Sequence, residues 1–260
     1  MIIDSHCHLT SETYGGAEGV DAVVATAVAA GVGGMISIGS GYGERSAAEA
    51  VEVARRHPGV VWATVGVHPH DARLFDEGTA SRLRELAANP EVVAIGEMGL
   101  DFYYDNSPRE QQREAFRAQL RLAKELSLPV VVHDRDSDGE TFEILREEGA
   151  FEGADVLYHC FAGDVDDMLK VVGAGGYISI PGVVTYRRSV ELRAVARLVP
   201  AHRFLVETDA PFLTPEPLRG RRNEPCHVAL TVEAVAELRG ISTRDSAALA
   251  TANTRNFFSI

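Results

Sequence analysis

The chain has 260 residues, 45% of them hydrophobic and 24% charged, a balance that excludes a disordered or fibrous polypeptide. Its formal net charge of −13 argues against gripping long nucleic acid through a broad basic face, so any phosphate must be bound locally. No apolar run approaches the roughly 18 residues of a membrane span. The N-terminus lacks a basic segment followed by an apolar stretch, and the three cysteines, Cys7, Cys160 and Cys226, are too few and scattered for a disulfide framework. The expectation is a cytoplasmic protein with no membrane partner.

Short β-branched runs alternate with amphipathic helical stretches along the whole chain. "MIIDSH" precedes a helical pattern over about 17–30, and "GMISIG" precedes "ERSAAEAVEVARRH". "VWATVGVH" leads through a loop to "ASRLRELAAN". "VVAIGE" leads to a long helix over about 108–127. "PVVVHD" leads to "GETFEILREEG", "DVLYHCF" to "DVDDMLKVVGA", and "GYISI" to "SVELRAVARLV". "FLVETD" is followed by a loop and helices near 228–238 and 244–257.

The runs "VVAI", "PVVV" and "FLVE" are continuous rather than alternating, as strands covered on both faces should be. Gly31, Gly149 and Gly173 close helical patterns where a positive φ is favoured. Eight strand–helix units in this length imply a parallel sheet with right-handed crossovers and predict an α/β fold, a (β/α)8 TIM barrel forming a single domain over residues 1–260. The absence of a GxGxxG after the first strand counts against the competing doubly wound sheet.

In such a barrel the reactive residues sit at the C-terminal strand ends. Read in order, those ends carry His6 and His8, then His68, Glu97, His133, His159 and Asp209; only the second and seventh strands lack a candidate. Side chains at i and i+2 of a strand share a face, so His6 and His8 point the same way and Cys7 the other. Taken singly, a strand-end histidine is more often a hydrogen-bonded rim residue than a ligand. Five of them with two carboxylates at equivalent strand ends exceed the three or four ligands of one ion, and suggest two metals about 3.5–4 Å apart sharing a carboxylate. His57, His70, His202 and His227 have no such placement. Asp4 is read as orienting a ligand or capping the turn.

The segments "DSHCHL", "VGVHPH", "GEMGLDFYY", "LPVVVHDRD", "YHCFAG", "YISIPGVVTY", "LVETDAPFL" and "GRRNEP" run in one order from residue 4 to about residue 225. In that order the sequence closely resembles the TatD family of metal-dependent deoxyribonucleases, within the amidohydrolase-like superfamily. The resemblance implies a divalent-metal phosphodiesterase acting on DNA, with His6, His8, Glu97, His133, His159 and Asp209 as metal ligands and His68 near the substrate phosphate. Met98, where an aliphatic residue is usual, and Cys226–His227 are mild departures that touch no ligand.

The residue types then permit a hydrolytic mechanism. Glu97 bridges two divalent ions (magnesium, manganese or zinc), with His6, His8 and Asp209 on one and His133 and His159 on the other. A water activated by both metals attacks phosphorus, Asp209 takes its proton, and the metals and His68 stabilise phosphoryl charge. Arg135, and one of Arg219, Arg221 and Arg222, are candidates to hold phosphate, with Arg222 taken as the substrate-binding one. Tyr103, in the run Phe102–Tyr104, is a candidate to stack a base. Asn223 and Glu224 are read as shaping the loop.

The acidic charge favours a terminus-directed enzyme, and the expected activity is a 3′–5′ exonuclease preferring single-stranded DNA or 3′ ends. A monomer with no obligate protein partner is expected. The competing readings are a hydrolase of a small phosphoester, lactone or amide, and a non-catalytic metal-binding protein. Neither Lys124 nor Lys170, the only lysines, lies at a strand end, so a modified bridging lysine is not available and Glu97 must bridge.

Overall fold

The structure, a computed structural model, describes residues 1–41 and 44–260. In chain order it contains β1 (Ile2–Cys7), α1 (Ser11–Tyr14), α2 (Ala17–Ala29), β2 (Val32–Ser37), α3 (Glu44–Arg56) and β3 (Val61–Val65). Next come α4 (Glu77–Ala87), β4 (Val92–Asp101), α5 (Arg109–Leu126), β5 (Val130–Arg135), α6 (Glu140–Glu147), α7 (Ala150–Gly153) and β6 (Val156–Tyr158). The last third holds α8 (Val165–Gly173), β7 (Tyr177–Ile180), α9 (Val190–Leu198), β8 (Phe204–Val206), α10 (Val228–Arg239) and α11 (Thr243–Phe258). The eight strands form one parallel sheet in sequential order, the (β/α)8 TIM-barrel class. No helix of the described residues is long and apolar enough to cross a membrane.

The chain falls into two compact units that interleave along the sequence: Met1–Ile36 with Cys160–Gly173 and Tyr177–Ile260, and Ser37–His159 with Ala174–Gly176. In the first unit the last strand lies beside the first. Asp209 N–H donates to His6 O at 3.0 Å and His8 N–H to Ala210 O at 2.7 Å. Asp4 fastens this seam. Its Oδ1 accepts from Thr208 N at 2.9 Å and His6 N at 3.3 Å, and its Oδ2 lies 2.5 Å from Thr208 Oγ1. The Asn223 amide donates to Thr208 O at 2.9 Å and Phe212 O at 2.6 Å, so the loop after β8 is tied back to its own strand, as expected for a loop-shaping residue.

In the second unit β4 is buried along all ten residues, and α5 covers it. Two fully buried glutamines on α5 serve the strand exits, where ladder partners run out. Gln119 accepts from Val67 N at 2.7 Å and donates to Val67 O at 3.1 Å. Gln112 accepts from Asp101 N at 2.8 Å and donates to Asp101 O at 3.1 Å. Unsatisfied backbone groups at these buried exits would each cost about 1–3 kcal/mol, so α5 fixes both segments that carry the polar residues described below.

The β4–β5 ladder slips between Gly96 and Met98: Gly96 pairs with Val131 and Met98 with Val132, leaving Glu97 without a partner. This is a β-bulge, which re-aims the extra residue's side chain. Glycine is required on both sides. At Gly96, φ is +142° and an added Cβ would lie 2.5 Å from Val131 O; at Gly99, φ is +146° and the distance to His133 O would be 1.9 Å.

Of the glycines expected to close helices, Gly31 and Gly149 take positive φ, but Gly173 does not. It ends α8 as a helical residue, and the left-handed turn falls at Gly175.

Burial raises the Asp4 carboxyl to about 8 from its ordinary 3.8, despite three lowering hydrogen bonds from Thr208 and His6. The folded state therefore holds a proton that the unfolded chain releases, and stability falls as pH rises from about 4 towards about 8, by at most about 1.4 kcal/mol per pH unit. In chelated protein the melting temperature should decline across that window. Asp4→Asn, which mimics the protonated acid, should flatten the decline; an unchanged slope in that variant would contradict this account.

Candidate metal-binding active site

In the second unit, three imidazoles from neighbouring strand ends converge on one oxygen of a fourth side chain, Glu97. Glu97 Oε1 lies 2.7 Å from His159 Nε2, 2.9 Å from His133 Nδ1 and 3.3 Å from His68 Nε2. His133 Nδ1 and His159 Nε2 are themselves 3.2 Å apart. The second oxygen, Oε2, accepts from Ser40 Oγ at 3.2 Å. Ser40 follows β2, a strand end for which the sequence offered no candidate.

The imidazoles divide by tautomer. His68 Nδ1 accepts from His70 N at 3.1 Å, which assigns the proton of the neutral ring to Nε2 and makes that atom a donor. Burial pushes His68 down to about 4 against the opposing pull of Glu97, so it stays neutral at ordinary pH. His133 Nε2 lies 3.2 Å from Asp101 Oδ2. A proton donated there leaves the Nδ1 lone pair facing Glu97 and His159.

That lone pair beside a carboxylate is favourable only with a positive charge between them. Burial disfavours that charge on His133, but hydrogen bonds to Asp101 and Glu97 outweigh it and raise its pKa. Burial also opposes ionisation of Glu97, yet His159, His68 and His133 hold it well below the usual carboxylate range. A divalent cation meets the same demand. With the His68 Nε2 committed to its proton, the lone pairs that remain are those of Glu97 Oε1, His133 Nδ1 and His159 Nε2. Their mutual separations of 2.7, 2.9 and 3.2 Å approximate the edges of a coordination polyhedron with bonds of about 2.0–2.2 Å. The donor set fits a metal ion.

Asp101 was not anticipated from the sequence. Its Oδ2 also pairs with His70 Nε2 at 2.8 Å, and its Oδ1 accepts from the amides of Tyr103 at 3.1 Å and Tyr104 at 2.9 Å. It is strongly acidified: burial opposes ionisation, but the His133, His70 and Tyr104 bonds prevail. The carboxylate–histidine pair orients the ring for a metal. Its signal was its place four residues after Glu97 on a strand that is otherwise apolar.

The first unit presents a second donor group. His6 Nε2 and His8 Nε2 lie 3.7 Å and 3.4 Å from Asp209 Oδ1, with their rings 5.2 Å apart at 71°. His6 is fully buried and His8 partly so, both on the Asp209 side, whereas Cys7 turns away, its thiol 3.5 Å from Ile36 O. Asp209 has a positive φ of 56° and is held by the β1 seam. Glu207, also missed in the sequence, accepts from Cys160 N at 2.7 Å and so positions the segment after β6.

The candidate phosphate-binding residues are differently placed. Arg135, at the end of β5, lies with its guanidinium 4.2 Å above the Tyr103 ring and 4.8 Å from that of Tyr104. Arg222 is held within its own unit. It donates to Thr13 O at 3.2 Å, pairs with Glu224 at 3.4 Å and covers the Tyr14 ring at 4.8 Å. These contacts compete with a phosphate for Arg222. Arg219 packs on Tyr186 at 4.6 Å. Leu218, Arg221, Arg222, Glu224 and His227 line an open hollow of about 420 Å³.

Residues 3–259 match the family model "TatD related DNase". The chain is 37% identical over 260 residues to the uncharacterized metal-dependent hydrolase YabD of Bacillus subtilis (strain 168), covering 100% of both. It is 41% identical over 264 residues to the 3′-5′ ssDNA/RNA exonuclease TatD of Escherichia coli (strain K12), covering 100% of this chain and 99% of that one. Among solved structures, the TatD homolog YjjV from Escherichia coli superposes with a TM-score of 0.89 at 27% identity, covering 100% of this chain and 98% of that one.

Replacing Asp101 by Asn should leave the fold intact but release His133. Affinity for manganese or zinc, measured by isothermal titration, should fall about 10–100-fold; an unchanged affinity would remove Asp101 from the site.

Proposed function

The chain belongs to the TatD related DNase family, and from that premise we propose a divalent-metal-dependent 3′–5′ exonuclease that prefers single-stranded DNA. The observation that carries this reading is the gathering of three imidazoles on one oxygen of Glu97. Relatives of this chain named as 3′-5′ ssDNA/RNA exonucleases and its net acidic charge support the polarity and the strand preference.

His6, His8 and Asp209 would hold one ion, His133 and His159 the other, and Glu97 would bridge. Divalent ions bound in this way supply Lewis acidity that lowers the pKa of water and neutralises phosphoryl charge. Asp209 accepts the proton of the attacking water. Neutral His68 donates its Nε2–H to a phosphoryl oxygen, a role that suits a ring kept uncharged by burial. Asp101 and Ser40 keep His133 and Glu97 in register. The proposed enzyme works as a cytoplasmic monomer, a location its three free cysteines support.

The alternative, a hydrolase of small phosphoesters, lactones or amides, would use the same donors without a strand-binding surface. Gel-resolved digestion of 3′- and 5′-labelled single-stranded DNA separates the two. Chelated protein refilled with magnesium, manganese or zinc should shorten the strand stepwise from its 3′ end. Chelator should abolish this, and Asp209→Asn should lower it by at least about 100-fold. No cleavage with any metal by protein that still binds two ions would favour the small-molecule reading.

A further inference from the structure

Beyond the metal donors, β4 ends in an unusual surface. Its ten residues are buried, yet Tyr103 and Tyr104, just past its end, are 58% and 53% exposed. Their backbone and their rings both have partners. Asp101 Oδ1 accepts from both their amides, their rings meet edge-on at 4.9 Å and 88°, and Tyr104 meets His70 at 5.4 Å. Arg135, paired with Asp101 across the β4–β5 ladder, lays its guanidinium over both rings. Neighbouring Arg109 and Arg113 are neutralised by Asp105 and Glu140. Among the described residues Arg135 makes no ion pair. A packed aromatic face thus sits beside a cation whose charge is not taken up by an ion pair.

This ledge is coupled to the metal donors through one carboxylate: the Asp101 that holds both tyrosine amides also holds His133 Nε2. Whatever lies on Tyr103 is therefore registered against the metal-ligating imidazole. The surface is about two rings wide, far below the roughly 800 Å² per partner of a protein interface, but sufficient for one planar heterocycle joined to an anion.

Resting on the nuclease reading above, we infer that Tyr103, backed by Arg135, is a stacking ledge for an unpaired nucleobase next to the scissile phosphodiester, and that it sets the single-strand requirement. A base at a duplex end is held by its pairing partner and by the neighbour beneath it, and cannot turn onto the ring beside the site without unpairing and unstacking. Stacking on an aromatic is tolerant of base identity, so the ledge would select strand state and not sequence. Arg135 would meet the phosphate on the same nucleotide.

The test compares metal-loaded wild type, Tyr103→Ala and Tyr103→Phe on dT8 and on the same oligomer with two abasic residues at its 3′ end. Wild type should lose about tenfold in kcat/KM on the abasic strand. Tyr103→Ala should lose about as much on dT8 and nothing further on the abasic strand, while Tyr103→Phe stays near wild type. Full activity of Tyr103→Ala on dT8, or equal additional losses on both strands, would overturn the ledge and leave the nuclease reading standing. If wild type degrades neither oligomer, the nuclease reading fails. The ledge is then decided by dT8 binding to chelated protein in fluorescence anisotropy. A roughly tenfold weaker Kd in Tyr103→Ala supports it, and an unchanged Kd refutes it.

Discussion

A single ionised carboxylate inside the protein organises the second unit. Glu97 is buried, and a buried carboxylate is tolerable only when compensated. Three imidazoles and one hydroxyl supply the compensation. The backbone that brings the side chain there is also unusual: one extra residue in β4, flanked by glycines whose positive φ and close backbone approaches admit no other side chain. The bulge, the glycines and the helix α5 that clamps the strand exits all serve the position of that one group. The same charge that makes the site costly without a partner makes it a strong ligand for a divalent ion.

The first unit solves a related problem by opposite means. Asp4 is as buried as Glu97, but its partners are amides and a hydroxyl, and burial leaves it with a raised pKa. It is a structural latch between the first and last strands, while its neighbours His6, His8 and Asp209 form the donor group. Two carboxylates at comparable depth thus differ in protonation because one faces imidazoles and the other faces neutral donors.

Much of this was legible in the sequence because strand ends are easy to read. Continuous apolar runs stopping at His, Glu or Asp located six strands and their terminal polar residues, and the helices agree with the 3.6-residue pattern to within a residue or two, with α4 beginning earlier at Glu77. The resemblance carried by "GEMGLD" and its companions added an expectation that spacing alone could not, namely a full set of metal ligands. What stayed hidden depends on tertiary contact. Ser40 follows "GMISIG" in a segment with no titratable residue to mark it, and only its 3.2 Å bond to Glu97 gives it a role. Asp101 and Glu207 each lay beside a stronger candidate in the same motif. His70 had no strand-end placement, and its partnership with Asp101 needed the turn after β3 to be known. Arg222 read as a free cation, because its contacts with Thr13 and Tyr14 lie some 209 residues away in the chain.

The central claim is that Glu97 is the charge on which metal binding depends. Native mass spectrometry of wild type and Glu97→Gln, each titrated with manganese or zinc, tests it directly. The account predicts two ions on wild type, and loss of at least one from the variant at the same free-metal concentration without loss of the folded charge-state envelope. Glu97→Gln retaining both ions at wild-type affinity would contradict it.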